Sequence, residues 1–141
     1  MIVENRGFER TLGILEKTLS ANVQRREIIA NNLANAETPN FKRSELSFEA
    51  DLKRAFAYEA SKQQHLQAKT THEKHIAFAT PPLWNDVQPT RRLDYLSTMQ
   101  ANGNNVDLEQ EVVERAKADR MYELLTTVTK FQFNQISIVA R

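Results

Sequence analysis

Both ends of the chain carry an apolar stripe at helical spacing, and no proline breaks either one. In residues 1–36, Phe8, Leu12, Leu15, Leu19, Val23, Ile29 and Leu33 recur at intervals close to whole helical turns. Glu9, Glu16, Lys17, Arg25, Arg26 and Glu27 fall elsewhere, and a strict heptad puts Asn22 and Arg26 on the seam. Two polar seam positions weaken a self-sufficient coiled coil, so this helix needs a partner. In the last third, Val106, Val113, Ala116, Leu124, Val128, Phe131 and Ile138 form a second stripe, edged by Leu108, Val112, Met121, Leu125 and Gln135. Asn102-Gly103-Asn104-Asn105 is a turn sequence just ahead of it. Asp107 with Gln110 three residues later is a capping-box variant, and Asp107, Glu109 and Glu111 suit the helix dipole. Helices over 8–36 and 108–140 would be ~43 and ~50 Å long. A compact ball of this chain length has a radius of gyration of only ~14 Å. The expected fold is mainly α and elongated, with the long N- and C-terminal helices paired as an antiparallel coiled coil. The expected divisions are 1–36, 37–105 and 106–141, the first and last forming one helical core domain around a short irregular middle segment.

That middle segment opens on a turn. In Glu37-Thr38-Pro39-Asn40-Phe41-Lys42-Arg43, Pro39 suits the second turn position and Asn40 tolerates the positive φ that a type II turn demands at the third. Leu52, Phe56 and Ala60 predict a short amphipathic helix capped at Ser47. Residues 62–105 hold all three histidines, Pro81, Pro82, Pro89 and the only tryptophan, and read as extended or irregular.

Composition narrows the function classes. Lys and Arg number 19 against 18 Asp and Glu, with neither sign segregated, which is too balanced for a protein that binds by neutralising phosphates. The pairs Lys42-Arg43 and Arg91-Arg92 read as solubilising charge or inter-subunit salt bridging. The absence of cysteine excludes disulfides, thiolate metal sites and cysteine nucleophiles. No serine stands in a nucleophile-elbow motif and no glycine-rich phosphate loop is present. His65, His72 and His75 are the nearest approach to a metal set, but Lys69 and Lys74 beside them oppose a dication, so they are expected as solvated loop residues. Charges at Glu4, Arg6, Glu9 and Arg10 interrupt the beginning too early for a cleavable secretory leader. No stretch approaches the ~18 apolar residues of a membrane span.

Asn31, Asn32 and Asn35 crowd the end of the first helix, beside small Ala30, Ala34 and Ala36. Asparagine is a mediocre helix former. Three together suggest amides used for backbone hydrogen bonds, across a cap or to a neighbouring chain, although a plain C-cap followed by a turn is the simpler alternative.

Ala30-Asn31-Asn32-Leu33-Ala34-Asn35-Ala36-Glu37-Thr38-Pro39-Asn40-Phe41-Lys42-Arg43 closely resembles the N-terminal signature of the bacterial flagellar rod and hook axial proteins, ANNxANxxTPGYKR. Gly103-Asn104-Asn105-Val106-Asp107-Leu108-Glu109 resembles the segment that introduces that family's C-terminal helix. The short length and the segment from Lys69 to Ile76 are most similar to the proximal-rod type. Two positions depart from the pattern: Asn40 stands where glycine is usual, and Phe41 where tyrosine is usual.

The resemblance implies an assembly protein and no enzyme. It implies a helical array of copies around a central channel, forming the drive shaft that crosses the periplasm. It also implies export through the flagellar type III apparatus, without a cleaved signal. The partners it implies are further copies of the chain, the rod proteins FlgC, FlgF and FlgG, the basal-body protein FliE and the export apparatus. No cofactor, nucleic acid or small-molecule substrate is implied. Leu12, Leu15, Leu19 and Leu33 are expected to pack on Leu124, Val128, Phe131 and Ile138. Asn31, Asn32, Asn35, Thr38, Pro39, Asn40, Phe41, Lys42 and Arg43 are the expected subunit-interface motif, with Asn32, Asn35 and Phe41 touching adjacent subunits. A generic helical adaptor with one discrete protein partner is the competing reading of the same two helices, and a hydrolase would need a clustered His–carboxylate site.

Overall fold

The computed structural model describes residues 6–61, 72, 82–97, 99 and 101–139. Its elements are α1 (Arg6–Ala34), β1 (Ser44–Ser47), α2 (Glu49–Ser61), β2 (Thr90–Leu93) and α3 (Leu108–Val139). They fall into two compact units, one of Met1–Ser47 with Pro89–Arg141 and one of Phe48–Gln88. His65 and His75 lie outside the described residues.

The first unit is mainly helical, and α1 contacts α3. Arg26, in the second half of α1, sits 2.7 Å from Asp119 Oδ1, and its guanidinium lies 5.1 Å from the centre of the Tyr122 ring. Asn32, near the end of α1, reaches Glu111 in the opening turns of α3 at 3.2 Å. Contacts advance along α3 as they retreat along α1, so the two helices run in opposite directions. The partly exposed Arg26 pair contributes modestly, on the order of 0.2–1 kcal/mol. The larger stabilisation comes from Ile28, Ile29 and Leu125, since burying an aliphatic side chain is worth roughly 1.5–3 kcal/mol.

Each helix stops and starts for a local reason. At the end of α1, Asn35 N–H donates to both Asn31 O and Asn32 O at 3.2 Å, and Ala36 N–H donates to Leu33 O at 3.3 Å, a tightened last turn. Asp107 caps α3 as the sequence predicts, its Oδ1 accepting from Glu109 N at 2.9 Å and Gln110 N at 3.2 Å.

The face that α3 turns inward differs from the expected one. Its buried positions are Glu111, Ala118 and Leu125, with Arg115, Tyr122, Thr129 and Gln132 half-buried on the same face, at spacings of three and four. Leu124, Val128, Phe131 and Ile138 are 58%, 37%, 58% and 74% exposed. Leu12, Leu15, Leu19 and Leu33, their expected partners, are half-buried on α1. Glu111 is buried on α3, and at 3.6 residues per turn the four apolar positions lie roughly 100–180° around the helix from it.

Two short strands also depart from the sequence reading. β1 and β2 pair antiparallel, with Ser44 opposite Leu93 and Ser47 opposite Thr90. Four-residue polar strands, Ser-Glu-Leu-Ser and Thr-Arg-Arg-Leu, carry too little alternation to be read in advance. Ser47, expected to cap the second helix, is instead the last residue of β1. Within the second unit, α2 follows Phe48, whose carbonyl accepts from Leu52 N–H at 2.9 Å. Phe48, Ala55 and Val87 are its buried apolar residues.

Candidate functional site

The Asn-rich end of α1 and the Asn-Gly-Asn-Asn turn before α3 meet and lock together. Asn104, fully buried, aims its amide at the end of α1. Its Nδ2 donates to Asn35 O at 3.0 Å, Ala36 O at 2.8 Å and Thr38 O at 2.9 Å, and its Oδ1 accepts from Val106 N at 2.7 Å. One side chain thereby holds the turn that follows α1, nearly seventy residues earlier in the chain. The carbonyls of a tight turn need donors from elsewhere, and an amide is well suited to serve them.

Two other asparagines complete the lock. Asn32 Nδ2 donates to Ser44 O at 2.9 Å and to Glu111, while Asn32 Oδ1 accepts from Ser44 N at 3.1 Å. Asn105 Oδ1 accepts from Arg43 N at 2.6 Å, and its Nδ2 donates to Asp94 O at 2.8 Å and Ser97 Oγ at 3.1 Å. Each asparagine thus serves a backbone segment as both donor and acceptor, which only an amide of this length can do.

The charged centre is Glu111, with no exposure at all. Arg43 Nε donates to Glu111 Oε1, and Arg43 Nη1 to Glu45 Oε1. Burial disfavours the Arg43 charge, but the hydrogen bonds and the fields of Glu111 and Glu45 outweigh it and hold its pKa above the ordinary arginine value. Asn32 satisfies the other Glu111 oxygen. A buried ion pair persists only when its remaining polar atoms are satisfied in this way.

The backbone at the crossing is tight. Asn40 adopts φ +59°, as the turn reading predicts, and Gly103 adopts φ +80°. Phe41 N donates to Thr38 O at 3.3 Å, and Asn40 N to Asn102 O at 3.0 Å. Glycine suits this φ, and a Cβ on Gly103 would lie 2.7 Å from Asn40 Oδ1, so the exposed Asn40 amide would have to turn aside. Lys42 Nζ donates to Gly103 O at 2.9 Å.

The motif residues therefore divide. Asn32 is buried and spends its amide inside the chain. Lys42 and Arg43 are half-buried and also bond within the chain. Asn35 is half-buried, with Nδ2 donating to Asn31 O at 2.8 Å, and Phe41 is half-buried. Asn31, Thr38, Pro39 and Asn40 lie exposed on the outside of the loop. The sequence reading missed Asn104, Asn105 and Glu111 as partners of this loop. Their signal was present: asparagines clustered on both sides of the molecule, each cluster in need of backbone groups to bind.

This site has the work of a fastener. It ties two end helices together and leaves the apolar side of one of them bare. Among the described residues no three His, Asp or Glu side chains are grouped to hold a metal ion, and no described helix is long and apolar enough to cross a membrane. The arrangement is a structural clasp with an exposed apolar helix face beside it.

Comparison with known proteins names the assembly. The model of a family described as flagella basal body rod protein matches residues 12–42. The chain is 39% identical over 134 residues to the flagellar basal body rod protein FlgB of Borreliella burgdorferi, covering 95% of this chain and 98% of that protein. It is 34% identical to FlgB of Borrelia hermsii, with the same coverage. It is 31% identical to FlgB of Bacillus subtilis, covering 94% of each. The chain belongs to the FlgB family of flagellar basal-body rod proteins, and it is a structural subunit of the flagellum, not an enzyme.

Proposed function

We propose that this chain forms the proximal part of the rod, where copies of it assemble with FliE, FlgC, FlgF and FlgG into a helical shaft around the export channel. The observation that carries the reading is the bare outer face of α3, where Leu124, Val128, Phe131 and Ile138 remain exposed in the single chain. Exposed apolar stripes of this length mark surfaces meant for protein contact. A contact between unlike faces that does not close generates a helical filament rather than a ring. The chain reaches the periplasm through the flagellar export apparatus, without a cleaved leader.

In that assembly α1 and α3 act as one antiparallel coiled coil, and residues 1–36 and 106–141 form one helical core domain around 37–105. Half-buried and buried positions alternate by three and four along α3 from Glu111 to Gln132, which supports the coiled-coil reading. The exposed motif residues Asn31, Thr38, Pro39 and Asn40, with Asn35 and Phe41 at their edge, contact neighbouring subunits.

The test is Phe131→Asp, a charge on the bare face that leaves the clasp untouched. The expected result is a chain that is made and exported but absent from purified basal bodies, in cells that do not swim. Normal rods carrying Phe131→Asp would overturn the proposal.

A further inference from the structure

Asn102-Gly103 is the one place in the chain where glycine follows asparagine. That dipeptide carries its own chemistry. The backbone nitrogen after an asparagine can attack the side-chain carbonyl, and glycine, which has no Cβ, hinders the attack least. Both participants are available here. The Asn102 side chain is exposed, so water can supply a base and carry ammonia away. The Gly103 N–H makes no hydrogen bond among the described residues.

The reaction consumes only water. A water or hydroxide base takes the Gly103 amide proton, and the nitrogen adds to Asn102 Cγ. The Cγ–Nδ2 bond then breaks, and Nδ2 picks up a proton from water and leaves as ammonia. A five-membered imide remains. Water opens it at either carbonyl to give aspartate or isoaspartate, and nothing is oxidised or reduced. Opening at the main-chain carbonyl inserts one extra methylene into the backbone.

The closed turn opposes the first step. Ring closure requires the Gly103 nitrogen to eclipse Asn102 Cβ about the Cα–C bond. Among the described non-glycine residues only Asn40 has a positive φ, so Asn102 sits at negative φ. There, neither the helical nor the extended well brings the two atoms together, and the Asn102–Gly103 peptide must swing by roughly a quarter turn. Three bonds hold it back. Asn102 O accepts from Asn40 N at 3.0 Å, Asn102 Oδ1 from Asn104 N at 3.0 Å, and Gly103 O from Lys42 Nζ at 2.9 Å. These lie towards the surface, and each is weak alone. The firm anchor is the next residue but one: Asn104 has no exposure, and it grips Ala36 O and Val106 N in buried surroundings.

We propose that Asn102 is a self-modifying site guarded by Asn104: it stays intact while the clasp is closed and converts through the imide to isoaspartate when the clasp is open. The lengthened backbone no longer sets Asn40 and Asn104 at their proper separation, so a marked chain does not refasten. A copy left unfastened is thereby retired by a change at one bond. This holds for the single chain, whatever assembly it enters.

The unmodified full chain is incubated in mildly alkaline buffer with and without guanidinium chloride. Position 102 is followed by peptide mass spectrometry and by labelling with an isoaspartyl methyltransferase. In denaturant, Asn102 should be lost faster than any other asparagine. In the folded chain its loss should be slower by at least about tenfold, because modification then tracks the small open population. Equal rates in the two buffers, or earlier loss of other asparagines in denaturant, overturn the proposal. Asn104→Ala without denaturant should lose Asn102 at least several-fold faster than the unmodified chain, and an unchanged rate overturns the guarding role. Asn102→Gln, whose side chain is too long for the five-membered ring, should give no isoaspartyl label at that position, and a persistent label there would refute the assignment. Chains aged in denaturant are then returned to buffer and separated by isoaspartate content. The isoaspartyl fraction should unfold at a lower urea midpoint than chains with Asn102 intact; an equal midpoint overturns the claim that the mark prevents refastening.

Discussion

Truncating Asn104 to alanine should be among the most damaging single changes to this fold, because one side chain serves four backbone groups. Ala36 O and Val106 N are met in buried surroundings, and leaving a buried polar group unsatisfied costs about 1–3 kcal/mol. Asn35 O and Thr38 O are only partly buried, so water reaches them after truncation and their loss is nearer ~0.5 kcal/mol each. The sum is about 3–7 kcal/mol, a large share of the roughly 5–15 kcal/mol that holds a domain folded. Urea unfolding of the purified chain, followed by far-ultraviolet circular dichroism, reads this directly. A loss below ~1 kcal/mol would refute the reasoning. Asn104→Asp sharpens the test. Its Oδ1 still accepts from Val106 N, but a carboxylate would face three carbonyl oxygens, which raises its folded pKa. A raised folded pKa leaves the variant closest to the unmodified chain below the unfolded aspartate value of ~3.9, and its deficit grows as pH climbs through the folded value. A deficit independent of pH would mean that the carbonyls do not face the side chain.

Further consequences follow from the same contacts. Glu111→Gln leaves the half-buried Arg43 guanidinium with Glu45 as its only carboxylate partner among the described residues and should cost about 1–3 kcal/mol in the same unfolding assay; a neutral result would show that the pair is not desolvated. Gly103→Ala should cost about 1–3 kcal/mol through its positive φ and its clash with Asn40, and Asn40→Gly in the same chain should recover the clash part alone, as a double-mutant cycle would show. Asn22 is buried with neither side-chain polar atom hydrogen-bonded among the described residues, so Asn22→Leu should raise the urea midpoint, and a lowered midpoint would mean that the amide has a partner. The Asp94 carboxyl is held below its ordinary 3.8 by the Ser97 hydroxyl and the Leu96 and Ser97 amides. A depressed folded pKa gives a contribution present above 3.8 and lost as pH falls through the folded value, so amide-exchange protection at Leu96 and Ser97 should fade in strong acid and not near neutrality.

The helices were legible in the sequence because periodicity over some thirty residues averages out local exceptions. The Asp107 cap and the positive φ at Asn40 were legible because each follows from one residue type at one position. The rotation of α3 was not. A hydropathy stripe identifies the apolar side of a helix, but the side that is buried carries Glu111 with Ala118 and Leu125, and a buried carboxylate has no place in such a stripe. The strands were invisible for a related reason: β1 and β2 exist through pairing with each other across more than forty residues, with little pattern of their own. The loop motif was recognised as special, yet the work of Asn32 proved intramolecular, because nothing in a linear string says that Asn104 and Glu111 will arrive beside it.

The hold of Asn104 on the turn after α1 has a temporal side. While the polypeptide emerges from its amino end, through a ribosome or any narrow conduit, the Asn35, Ala36 and Thr38 carbonyls lack their Asn104 amide until three quarters of the sequence has come out. The fastener closes late, and until then a thread of this protein has no finished form to jam a passage.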